Sequence, residues 1–121
     1  MGYMRHHAII VTGWDVQTVN DAQAKARQVF PQVSQILPGE VNTYYSFFIP
    51  PDGSKEGWPE DEKGNKRRED FIGYLKTIHY LDWVELQYGD EEGWTAIIRH
   101  SNEIQTEIAS KPLQADKREG G

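Results

Sequence analysis

The chain has 121 residues and no cysteine, which excludes a disulfide framework, a thiolate zinc site and a cysteine nucleophile. Nineteen acidic residues against 13 basic ones give a net charge of −6, which disfavours non-specific nucleic-acid binding because that needs a basic surface. No stretch approaches the ~20 apolar residues of a membrane span, so the expectation is one domain with a single core, without membrane association, in a reducing setting such as the cytoplasm.

In chain order, the first signal is Ala8-Ile9-Ile10-Val11. This apolar, β-branched run is too short for a signal-peptide core and suits a strand buried on one face or both. Gly13 punctuates it, and Asp15 is a candidate N-cap. Val16, Val19, Ala22, Ala26, Val29 and Phe30 then recur at helical spacing, and Pro31 ends that amphipathic helix. Val33 to Leu37 reads as a short strand, Pro38-Gly39 as a turn, and Asn42 to Ile49 as an aromatic strand stopped by Pro50-Pro51. The polar stretch from Pro50 to about Gly64, with four glycine or proline interruptions after Pro51, predicts a long loop. A second helix is expected from about Asn65, with Phe71, Ile72, Leu75, Ile78 and Leu81 on one face. Trp83 to Tyr88 alternates with period two, Gly89 to Gly93 turns, and Trp94 to His100 returns as a hairpin strand.

This order predicts an α+β fold: a ferredoxin-like β-α-β-β-α-β unit with an added C-terminal hairpin strand, and two helices on one face of an antiparallel sheet. Residues 1–103 form the expected domain, and 104–121 a flexible C-terminal extension. The uncovered sheet face suits a homo-oligomer or a ligand equally well.

Several strings bear on function. Arg5-His6-His7-Ala8-Ile9-Ile10-Val11-Thr12, the segment Ser46 to Trp58, Trp83 to Asp90 and Arg99-His100-Ser101 together resemble a group of short bacteriophage and prophage proteins of no settled activity. The resemblance covers most of residues 4–103 and carries over no catalytic residue. It implies a phage-encoded protein in a bacterial cytoplasm, acting on a host protein or sequestering a signal, with an anti-defence role.

Read from the residues themselves, the candidate ligand site combines Tyr45 and Phe47 on the aromatic strand, Lys55 and Trp58 in the loop, and Arg67 and Arg68 at the expected start of the second helix. Rings stack on bases, and cations and helix N-terminal amides meet phosphates. The expected ligand is therefore small, anionic and nucleotide-like. Glu85, Tyr88, Asp90, Glu91 and Trp94 form a candidate docking surface, acid around aromatics, for a basic protein partner.

Asp52, Ser54 and Glu56 begin like a calcium loop, but Lys63 stands where the bidentate glutamate belongs, so no metal site is assigned. No phosphate loop or nucleophile elbow occurs, and no cofactor is implied. The expectation is thus a non-enzymatic binding protein. A small hydrolase or nucleotide-modifying enzyme using His6, His7 or His100 is one alternative. A phage structural or accessory subunit is the other.

Overall fold

The structure, a computed structural model, describes residues 4–102; the expected C-terminal extension lies outside them. Five strands and two helices follow one another as β1 (Arg5–Gly13), α1 (Val16–Val29), β2 (Leu37–Pro38), β3 (Tyr45–Ile49), α2 (Pro59–Leu75), β4 (Leu81–Gly89) and β5 (Ala96–His100). The sheet order is β2-β3-β1-β4-β5, with every neighbouring pair antiparallel. The chain is thus α+β, with an open five-stranded sheet. No helix among the described residues is long and apolar enough to cross a membrane.

Strand alternation separates the two faces of the sheet. Ile9 and Val11 of β1, Phe47 and Ile49 of β3, and Leu81 and Trp83 of β4 join Val19, Ala22 and Ala26 of α1 and Phe71, Ile72 and Leu75 of α2 in one core. Both helices therefore cover the same face. Within the apolar run of β1, Ile9 and Val11 face that core, whereas Ile10 points to the other side and is 38% exposed. The Phe30 and Phe71 rings meet edge-on at 5.8 Å between the helices, a favoured aromatic geometry.

Helix α1 starts where expected: the Asp15 carboxylate accepts from the Thr18 amide at 3.3 Å and the Thr18 hydroxyl at 2.5 Å, satisfying a donor that the helix leaves unpaired. Helix α2 starts six residues earlier than its apolar periodicity indicates. Pro59 occupies the first turn, where a missing N–H costs nothing, and Glu60, Asp61 and Glu62 follow at the end that favours anions. Proline here opens a helix, although the same residue equally marks a loop. The loop accordingly shrinks to 50–58, and Lys66, Arg67 and Arg68 fall well inside the helix, away from its N-terminal amides.

Other boundaries also differ: α2 ends at Leu75, so Ile78 lies beyond it and Leu81 opens β4. The strand expected at Val33 to Leu37 is the two-residue β2, and Ser34 ties its approach to β3 through its amide and hydroxyl, each bonded to Phe48. The aromatic strand begins at Tyr45. Trp94 lies in a 3-10 turn (Glu92–Trp94) before β5, and its carbonyl accepts from the Gln87 side chain at 2.8 Å.

Candidate functional site

Glu85 occupies the inward phase of β4, after Leu81 and Trp83, so its carboxylate points beneath α2 and is 2% exposed. A buried carboxylate needs partners. Arg99, its cross-strand neighbour on β5, donates to it from Nε at 2.6 Å. Arg68, on the buried side of α2, brings its Nε within 3.8 Å of the other oxygen and also donates to the Asn65 side chain. A register irregularity in the β4–β5 pairing follows at Glu85/Leu86.

Two openings flank Arg68. The first is a cavity of about 130 Å³ between the end of α1, the end of β3 and the middle of α2. Its apolar wall includes Ile9, Phe30, Ile49 and Pro50, and its polar wall is made by His7, Asp52, Arg67 and Arg68. The second is a wider groove of about 560 Å³ along the polar side of α2 and the β4–β5 edge, carrying Lys66, Glu69, Gln87 and Arg99. His7 and Arg68 line both and form the wall between them.

Gly64 is what lets this wall assemble. A Cβ there would stand 2.6 Å from Asp52 Oδ2 and 3.1 Å from an Arg68 guanidinium nitrogen. The Asp52 carboxylate therefore rests against the helix backbone, while its other oxygen accepts from the Ser54 amide at 2.9 Å and hydroxyl at 2.6 Å. Burial by itself raises the Asp52 pKa. The two Ser54 hydrogen bonds and the charges of Arg68 and His7 outweigh it and hold the carboxyl below its ordinary value. Burial, reinforced by Arg68 and Arg5 and opposed by Glu85 and Asp61, pulls His7 below the ordinary imidazole value. Its ring is therefore neutral at pH 7, and its buried Nδ1 has no hydrogen-bond partner among the described residues.

Asp52, Arg68, Glu85 and Arg99 balance one another in charge. Arg67, half-buried on the cavity wall, has no carboxylate within ion-pair distance among the described residues. Arg5 closes the neighbouring loop: it pairs with Glu56 at 2.9 Å and lies 4.1 Å from the centre of the Trp94 ring, a cation–π contact.

Of the residues that the sequence reading put in the ligand site, Arg67 and Arg68 come together on the cavity wall. Tyr45 and Phe47 do not join them. Phe47 is buried in the core, and Tyr45 packs against it, because their phase of β3 faces the helices. Lys55 and Trp58 pair with each other at 5.8 Å outside the cavity lining. The docking set also divides. Glu85 is buried in its ion cluster and unavailable to a partner, and Trp94 is occupied by Arg5. Tyr88 lies beside His6 on the opposite sheet face, with ring centres 5.2 Å apart, and Asp90 accepts from the Met4 amide at 3.2 Å. Glu91 is exposed on the hairpin turn.

The joint placement of His7, Asp52, Gly64 and Glu85 around Arg68 is not apparent from the sequence. A signal was present for one of them: a glutamate in the inward phase of an alternating strand demands a buried cation. The histidines do not converge, since His6 and His7 face opposite sides and His100 pairs with Val84, four residues along β4 from Tyr88, the partner of His6. No group of three or more metal-ligating side chains is assembled among the described residues.

No protein-family model matches the chain, and neither the curated proteins nor the solved structures contain a significant match.

Proposed function

We propose that this chain is a small non-enzymatic binding protein, built on a ferredoxin-like frame with an added edge strand, that captures a small anionic ligand in the cavity beside α2. The observation that carries the reading is Arg67: a half-buried cation, unmatched among the described residues, on the wall of a largely apolar cavity. Apolar walls with a few convergent polar groups are the usual make-up of a ligand site. The β-α-β-β-α-β succession and the placement of both helices on one face support the frame. A phage origin, action inside a bacterial host against its defences, and a homo-oligomeric state belong to the same proposal. The oligomer rests on the apolar residues Ile10, Phe48 and Ile97 of the uncovered sheet face.

Native mass spectrometry of the protein purified gently from bacterial cells tests capture. The expected result is an extra mass that denaturation releases and that Arg67→Glu abolishes without loss of folding. Retention of the same mass by the variant would remove the cavity from the reading.

A second reading, a small hydrolase or nucleotide-modifying enzyme, is favoured by one feature, the neutral His7 ring at the wall between cavity and groove. A general base needs such a ring within reach of its substrate. It requires turnover that His7→Asn eliminates while ligand binding persists.

A further inference from the structure

Resting on the capture reading, we infer that the ligand of this cavity is a monoanionic ring carboxylate and not a nucleotide. Charge and size both lead there. The cationic wall has little charge to spare. Glu85 is already engaged by Arg99 and Arg68, and Arg68 also faces Asp52 across Gly64. His7 carries no charge near neutral pH. Among the described residues one unmatched cation remains on this wall, Arg67. A carboxylate brings one negative charge, whereas a phosphate monoester brings about 1.5–2 at pH 7. The excess would stand against Asp52 and Glu85 in surroundings that screen charge poorly.

The donors match as well. A carboxylate has two acceptor oxygens. Arg67 offers a planar fork to it. His7, on the same wall, adds a neutral polar ring and no competing charge.

Size narrows the remainder of the molecule. The cavity measures about 130 Å³, and an engineered apolar cavity of about 150 Å³ holds a benzene ring. Phe30, Ile49 and Pro50 supply apolar walls for one such ring. A two-ring base with its ribose exceeds that space.

Isothermal titration of the full chain with benzoate, benzamide and adenosine 5′-monophosphate, each at neutral pH, tests the assignment. Benzoate is expected to bind about tenfold or more tightly than its neutral amide, and Arg67→Gln to remove that advantage. The unfolding midpoint of Arg67→Gln, a half-buried position without an ion-pair partner among the described residues, is expected to stay unchanged. The ¹⁵N shifts of the His7 ring are expected to move on benzoate addition. Tighter binding of the nucleotide than of benzoate, or benzoate binding indifferent to Arg67→Gln, would overturn the carboxylate assignment and leave anion capture standing. Absence of binding by all three probes, with no retained mass in the native spectrum, would overturn both.

Discussion

The Glu85 carboxylate and the Arg99 guanidinium, directly opposite each other on β4 and β5, are joined by a 2.6 Å hydrogen bond beneath the second helix. Arg68 lies 3.8 Å from the other carboxylate oxygen, so the pair also ties α2 to the sheet. It also places Arg68 on the wall shared by cavity and groove. The charges that shape the site are therefore structural elements of the fold.

Glu85→Ala is expected to destabilise the chain by about 3–5 kcal/mol, because it leaves buried guanidinium charge without its carboxylate. Urea unfolding at pH 7 measures this. A loss below about 1 kcal/mol would place the pair in the class of solvent-screened ion pairs.

His7 predicts a pH dependence with a definite sign. Its folded-state pKa lies below the unfolded value of 6.5, so the unfolded chain takes up the proton first as pH falls. The contribution is fully present above 6.5 and is lost as pH drops through the folded value. Arg68, Arg5, Glu85, Asp61 and Asp52 surround the ring. Of these, Asp52 titrates below its ordinary 3.8 and leaves the window above pH 5 undisturbed. Urea midpoints at pH 7.5, 6.5 and 5.5 are expected to fall for the wild type. The His7→Gln variant should show a flatter profile, and identical slopes would remove His7 as the cause.

Gly64→Ala tests the packing of Asp52 against the helix. Alanine gains about 1 kcal/mol of helix propensity. Its Cβ, however, would stand 2.6 Å from Asp52 Oδ2. The Asp52 side chain is short and held by two hydrogen bonds to Ser54, so overpacking of about 1–3 kcal/mol is expected to dominate. The predicted outcome is a net loss of about 1 kcal/mol in thermal unfolding, the balance of these two effects. A stabilised variant would show that Asp52 moves aside freely.

Ile10→Lys tests the proposed oligomer. Ile10 stands level with Phe48 on one side and Val84 on the other, on the sheet face without helices. A lysine there introduces a charge that a buried interface rejects. Sedimentation equilibrium is expected to show assembly for the wild type and a monomer for the variant. The same mass for both would take the sheet face out of the assembly.

Part of this molecule was legible in local pattern. Ala8 to Val11, the Asp15 cap and the spacing of Val19, Ala22 and Ala26 announce β1 and α1 because strand alternation and helical periodicity act between near neighbours in sequence. The first half of α2 was not legible. Pro59 to Lys63 carries no apolar stripe, and proline reads the same way in a loop as in a first helical turn. Among the candidate site residues, Arg67 and Arg68 were found by charge, while Phe47 was misplaced because alternation alone does not say which phase of β3 meets the helices.

The sequence by itself thus determined the fold class, the succession of elements, the absence of thiol chemistry and the acidic balance, all carried by composition and short-range periodicity. The cavity was decided only in three dimensions. His7, Asp52, Gly64 and Glu85 are far apart along the chain, and their meeting depends on strand register, on which face of α2 turns inward, and on a glycine that lets a carboxylate rest against a helix. Those are long-range packing choices, and no local pattern of residues encodes them.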